Sequence, residues 1–170
     1  MKRLLRRLRA SRNDKKMKNT QNEKIYTENK KAYYDYEIIE KYEAGFVLQG
    51  QEVKSIRGGH ISLTGSYIVF NMQFEPSLVG SKIPAYQPNN APADYNSERQ
   101  RKILLNKKEI HYLANKSKER GFSLIPLKVY DNSGKIKLEF ALARGKKKFD
   151  KKEKIKQRDT EREINRELSR

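Results

Sequence analysis

The 170-residue chain has no cysteine, which excludes a disulfide framework, Cys-ligated zinc, iron–sulfur clusters and thiol catalysis together. That absence fits a reducing compartment. There are only two histidines, His60 and His111; neither has a second imidazole at ligand spacing, so no metal and no cofactor is expected. Long apolar runs are missing too. Apolar stretches such as Phe46-Val47-Leu48 fall far short of the ~18–20 residues of a membrane span. No Ser/His/Asp order, Gly-rich phosphate loop or HExxH run nominates a nucleophile or base. The carboxylates Glu43 and Glu52, placed near one rim, read more naturally as hydrogen-bonding or solvated groups than as a catalytic pair. The expectation is a soluble, cytoplasmic, monomeric protein that is not an enzyme and does not engage a membrane.

What the chain does have is positive charge, with 39 Lys and Arg against 21 Asp and Glu and a formal net charge of +18. The ends are the richest: residues 1–28 hold 10 basic and 3 acidic groups, and residues 144–170 hold 12 and 6. Such an excess is the footprint of a nucleic-acid partner, because phosphate contacts supply most sequence-independent affinity through counterion release. Aromatics accompany the cations. Tyr33, Tyr34 and Tyr36 follow Lys30-Lys31, and Phe149 sits between Lys146-Lys147-Lys148 and Lys151-Lys152. An aromatic among cations offers a stacking face to unpaired bases. For Tyr36 a core role weighs more; for Phe149, which has no apolar neighbours, binding does.

The pattern divides the chain into a basic flexible arm (1–28), a domain (29–144) and a basic C-terminal tail (145–170). The arm resembles an Arg-rich transit peptide at its start, but Asp14 and the Lys-rich continuation through Lys18 favour a solvated arm. Alternation from Tyr34 to Tyr42 predicts a strand, with a bend at Gly45. Val53 and Ile56 before Gly58-Gly59 predict a short helix with a glycine stop, showing Glu52 and Lys54 to different faces. Ser66 to Met72 reads as a buried strand. Four of the five prolines fall between Glu75 and Arg101, which predicts a long proline-rich surface loop, 75–98, functional or disordered. After Lys102–Leu105, Asn106 with Glu109 forms a capping box for a helix whose apolar face is Ile110, Leu113 and Ala114, ended by Gly121. Phe122–Tyr130 predicts a strand that Pro126 places at an edge or a bulge, and Asp131-Asn132-Ser133-Gly134 a turn. Ile136, Leu138, Phe140 and Leu142 mark an amphipathic strand. Short strands with single helices between them favour an antiparallel barrel or sandwich, an OB-like barrel first. The tail is helix-capable but nearly without a core, with Ile164 and Leu168 on one face.

The strings Asn29-Lys30-Lys31-Ala32, Tyr42-Glu43-Ala44-Gly45, Leu48-Gln49-Gly50-Gln51-Glu52-Val53-Lys54-Ser55-Ile56-Arg57, Arg101-Lys102-Ile103-Leu104-Leu105 and Ala143-Arg144-Gly145-Lys146-Lys147 resemble, in order, those of the SsrA-binding protein (small protein B) family of bacterial trans-translation. The resemblance covers about residues 29–168. It implies a mainly β fold with flanking helices, an OB-like closed antiparallel barrel, that binds the tRNA-like domain of transfer-messenger RNA and delivers it to stalled ribosomes. By motif position it assigns Asn29, Lys30, Lys31, Tyr34, Tyr36, Glu43, Lys102, Leu104 and Lys137 to the RNA-binding face. Glu43 would accept from base or ribose donors, and Lys137 would meet phosphate. It assigns Lys146, Lys147, Phe149, Asp150, Lys151 and Lys152 to a tail that turns helical in the empty messenger channel of the small subunit, with Phe149 stacking at the decoding centre.

Some positions depart from the family pattern. Tyr34 stands where His is common and Phe149 where His or Tyr is common, and Asp150-Lys151-Lys152 replaces the commoner DKR, which keeps charge but loses the bidentate fork. A constitutive ribosomal or ribosome-assembly protein would share the barrel and basic ends, and stays open as the alternative. An RNA-modifying or RNA-cleaving enzyme would need a catalytic group beyond these unpartnered carboxylates and histidines.

Overall fold

A computed structural model describes residues 24–146 together with Ile164 and Glu167. Between residues 24 and 146 seven strands and three α-helices follow in the order β1 (Ile25–Glu28), α1 (Lys30–Asp35), β2 (Tyr36–Phe46), α2 (Gly50–Arg57), β3 (Tyr67–Phe70), β4 (Pro76–Val79), β5 (Arg101–Leu104), α3 (Lys107–Lys116), β6 (Phe122–Asn132) and β7 (Lys135–Gly145), with a short 3-10 turn of helix at Pro88–Asn90. All strand pairings are antiparallel. The hydrogen-bonded order is β1-β6-β3-β4-β5-β2-β7, and β7 also pairs with β6. The fold is thus mainly β with a few helices.

The two long strands are joined as expected. Asn132 pairs with Lys135, leaving Ser133 (φ 53°) and Gly134 (φ 79°) as the two central residues. Two positive φ values are what a type I′ hairpin turn demands, and its twist matches that of the flanking strands. Alternate residues of β7 then fill the main core: Leu138, Phe140 and Leu142 meet Ala44, Ile56, Leu78, Ile103, Leu113 and Leu124 there. The period of two along the strand sets Leu138, Phe140 and Leu142 on one face.

Four expectations are corrected. The arm reading reached residue 28, but Ile25–Glu28 pairs with β6, since the alternation Ile25, Thr27 suits an added edge strand. Tyr34 was placed in a strand; it lies in α1, which Asn29 starts by accepting the Ala32 N–H at 3.2 Å. The loop 75–98 contains β4, and its Leu78, Ser81 and Ile83 have no exposure. Tyr95 Oη, donating to the Ile83 carbonyl at 2.8 Å, ties the loop's far side back to that core. Finally, β7 is more than a one-sided amphipathic strand: Ala141, which alternates with the apolar positions Ile136 to Leu142, and Ala143 are fully buried. They form a second small core with Ala32, Ile125 and Leu127, covered by Tyr33, Tyr36 and Ile38, because α1 lies over the outer face of the sheet there.

Pro126 sits at a register shift in the β6–β7 ladder, between Pro126 and Lys128. The bulge, rather than an edge, is how the missing N–H is accommodated. α2 is held at its start by Gln49, whose N–H donates to Glu52 Oε2 at 2.8 Å. In α3, Asn106 N–H donates to Glu109 Oε2 at 3.2 Å, and Leu113 and Ala114 are buried; the helix gives way at Ser117, before Gly121.

Candidate nucleic-acid interface

Register alone assembles the first group of nominated residues. Gly45 of β2 pairs with Leu104 of β5 on one side and Lys137 of β7 on the other, and Lys137 pairs with Tyr130 of β6. Directly paired residues point to the same face, so Tyr130, Lys137, Gly45 and Leu104 form one row across four strands. Leu104 is 54% exposed. Gly45 leaves the middle of the row low, since an added Cβ would rest 3.5 Å from Leu104 Cβ.

Glu43 lies two residues from Gly45 on the same face. Its Oε1 is 3.3 Å from Lys137 Nζ, and its Oε2 accepts the Tyr130 hydroxyl. Opposite Glu43 across β2–β7 stands Glu139, a like-charge pair that would repel by itself. Lys41 (3.2 Å) and Lys128 (3.4 Å) offset it at Glu139, and Lys128 Nζ also lies 4.7 Å from the Tyr130 ring centroid. Burial lowers the Lys41 pKa, but the hydrogen bond and charge of Glu139 outweigh it and hold the ammonium above its ordinary value. Three lysines and two glutamates therefore alternate over the outer face of β6, β7 and β2, a lattice that keeps long side chains in place.

The remaining nominated residues divide. Lys102 is exposed on β5 and paired with Glu75. Lys30, Lys31, Tyr34 and Tyr36 lie in or beside α1, at the other end of β2 from Gly45. The nine residue steps from Tyr36 to Gly45 correspond to ~30 Å of strand. Lys31 and Tyr36 line a groove of about 670 Å³ between α1, the start of β6 and the Thr64–Phe70 segment. Tyr36 is half-buried against the small core, as weighed from the sequence.

Asn29 is a correction. It is 8% exposed, and its side chain is committed: Oδ1 caps α1, while Nδ2 donates to the carbonyls of Leu63 (3.3 Å) and Pro126 (3.1 Å). It positions α1 and offers no group to a ligand.

At this end of the sheet the tail begins. Lys146 N–H donates to the Asp35 carbonyl at 3.0 Å and its Nζ to the Tyr33 carbonyl at 3.0 Å. Lys147, Phe149, Asp150, Lys151 and Lys152 lie outside the described residues. His60 and His111 are both exposed, and among the described residues no three His, Asp or Glu groups are placed to hold a metal ion. No helix of the described residues is long and apolar enough to cross a membrane.

Reading the sequence missed the most buried ionic group. Glu52 and Arg101 have no exposed side-chain surface and meet at 2.8 Å, and Arg99 also reaches Glu52, with Nε at 2.9 Å from Oε1. Arg101 further donates to the carbonyls of Ser81 (2.8 Å), Ser97 (2.7 Å) and Arg99 (2.9 Å). Burial raises the Glu52 pKa, but the bonds from Arg99, Gln49 N–H and Arg101 together carry it below the ordinary carboxylate value. The arrangement staples the proline-rich loop to α2. The signal was Glu52 in the first turn of α2 and Arg101 among alternating apolar residues, where a soluble surface Arg is out of pattern.

A small basic β-sheet protein with a charged outer row ending at the exposed Leu104 has the make-up of a nucleic-acid-contacting β module. The comparisons sharpen this. The chain matches the family described as SmpB protein over residues 26–170. It is 47% identical over 142 residues to an SsrA-binding protein of Sulfurihydrogenibium sp. (strain YO3AOP1), covering 84% of this chain and 92% of that one. To an SsrA-binding protein of Syntrophobacter fumaroxidans it is 48% identical over 146 residues, covering 84% and 88%. A solved chain from the structure "tmRNA-SmpB: a journey to the center of the bacterial ribosome" is similar with a TM-score of 0.60 and 43% identity, over 72% of this chain and 85% of that one. The chain belongs to the SmpB protein family.

Proposed function

We propose that this chain binds the tRNA-like domain of transfer-messenger RNA and accompanies it into stalled ribosomes for trans-translation, without catalysing a reaction itself. One observation carries the reading: Glu43, Leu104 and Lys137, drawn from three separate strands, converge around Gly45 on one face. The names of the relatives and of the ribosomal structure support it. The scaffold we infer is an OB-like closed barrel, with β1 added outside it. The pairing of β7 with β6, which returns the strand order to its start, supports that.

In this reading Lys137, held by Glu43, is a pre-set phosphate contact, Leu104 and Gly45 give a flat apolar surface for a sugar or base, and Glu43 accepts from a ribose or base donor. Lys102 extends the RNA face along β5 beyond Leu104, and Lys30, Lys31, Tyr34 and Tyr36 extend it toward α1. Lys146, Lys147, Phe149, Asp150, Lys151 and Lys152 belong to the ribosomal part of the task, in the empty messenger channel, and the anchoring of Lys146 beside α1 supports a tail that departs from the far end of the sheet.

The test is binding of the full chain to the isolated tRNA-like domain and to an equal-length RNA duplex over a salt series. A structure reader keeps a gap between the two curves as salt rises, whereas a purely electrostatic binder loses both in parallel. Lys137→Ala is expected to weaken binding and lower the salt slope by about 0.7–0.9, and Glu43→Ala to weaken it as well. A chain ending before Lys146 is expected to keep RNA binding and lose peptide tagging. Parallel curves would leave a constitutive ribosomal or assembly protein as the better reading.

A further inference from the structure

The β3–β4 hairpin ends in a loop, Asn71–Glu75, that turns two apolar side chains to solvent: Met72 is 95% exposed and Phe74 39%. The loop is tightly bonded. Asn71 Oδ1 accepts the N–H groups of Gln73 (2.9 Å) and Glu75 (2.8 Å). The Phe74 N–H donates to the Asn71 carbonyl at 3.0 Å, and Lys102 of β5 pairs with Glu75. Within this frame Phe74 sits at φ 59°, a left-handed conformation that is a genuine outlier for a bulky side chain. A ring that keeps 39% of its surface in solvent, on a left-handed backbone that displays it, points to something outside the chain.

The surroundings of the ring indicate what that is. The His111 ring lies 5.8 Å away, tilted by 48°, and Lys118 Nζ lies 5.5 Å from the Phe74 centroid. Lys107 and Lys108, at the start of α3, are exposed as well. An apolar protein surface would gain little from a rim of cations, whereas an unpaired nucleotide uses both parts, the base against the ring and the phosphate against the ammonium.

We propose that Phe74, with His111 and Lys118, is a second RNA contact, a platform on which one unpaired base stacks while Lys118 meets its phosphate. The inference rests on the RNA-binding reading above but uses none of Glu43, Leu104 or Lys137.

The experiment measures binding of the full chain to the tRNA-like domain over a salt series, with melting temperatures alongside, for the wild type, Phe74→Tyr, Phe74→Leu, Phe74→Ala and Lys118→Ala. Phe74→Tyr should bind as the wild type does. Phe74→Leu and Phe74→Ala should bind about 5- to 100-fold more weakly with the salt slope unchanged, the loss expected of one stacked base. Lys118→Ala should lower the slope by about one. Wild-type affinity in both Phe74→Leu and Phe74→Ala overturns the proposal. If Lys137→Ala weakens binding while the Phe74 variants do not, only this inference fails. If the wild type does not bind the RNA, the function reading fails and takes this one with it.

Discussion

The Glu52 carboxylate and the Arg101 guanidinium meet at 2.8 Å with no exposed surface on either side chain, although 49 residues separate them. The pair links α2 to β5, and through the other donors of Arg101 it fixes Ser81 and Ser97, the two sides of the proline-rich loop.

Replacing one member of such a pair strands the other. Glu52→Gln is expected to cost ~3–5 kcal/mol, because Arg101 remains a buried cation without its anion. Urea or guanidinium unfolding of the two proteins measures this, and a loss below 1 kcal/mol would show that the loop and helix relax around the vacancy.

The same group sets an acid limit. Glu52 has a folded pKa below its ordinary 4.5, so its contribution is complete above that value and is lost as pH falls through the depressed folded value. Unfolding midpoints followed from pH 7 to pH 3 should fall below ~4.5 in the wild type, and the fall should be shallower in Glu52→Gln. Parallel curves would mean that other carboxylates govern acid unfolding.

Asn29→Ala separates positioning from binding. It removes the cap of α1 and leaves the carbonyls of Leu63 and Pro126 short of a donor, a loss of ~1–3 kcal/mol. At temperatures where the variant is folded, its RNA affinity should match the wild type; a selective loss of affinity would return Asn29 to the interface.

Gly45 tests the flatness of the row. Gly45→Ala makes only an ordinary contact with Leu104, and it should stabilise the strand by ~0.5–1 kcal/mol through lower backbone entropy. Gly45→Leu, with a side chain standing between Lys137 and Leu104, should keep the melting temperature but weaken RNA binding on the order of tenfold. Unchanged binding by Gly45→Leu would move the RNA off this face.

The legible parts of the fold were those governed by local rules. The Asn106–Glu109 capping box, the glycine stop after α2, the Ser133-Gly134 turn and the alternation of Ile136 to Leu142 are each set by nearest-neighbour chemistry, and each stands where the sequence placed it. What escaped was long-range. β1 takes its strand form from β6, β4 from β3 and β5, and the burial of Ala141 and Ala143 from α1 crossing the sheet. The convergence of Glu43, Leu104 and Lys137 was nominated by motif, but their contact depends on register, which no single segment contains. The intramolecular commitment of Asn29 was hidden for a related reason: a polar residue beside lysines looks like a ligand contact until its distant carbonyl partners are known.

β2 gives the molecule a gauge length. Its Gly45 end carries the Lys137 row and its Tyr36 end the root of the tail at Lys146, so those two places are held apart by strand rather than by a linker. Excising two residues from β2 and their two partners from β7 would preserve every side chain's facing while drawing those ends together by ~7 Å. Excising one from each would invert the outer lattice into the core. Along the regular part of this ladder spacing can therefore be retuned only in even steps, a single residue needing a bulge such as the one between Ile38 and Glu40.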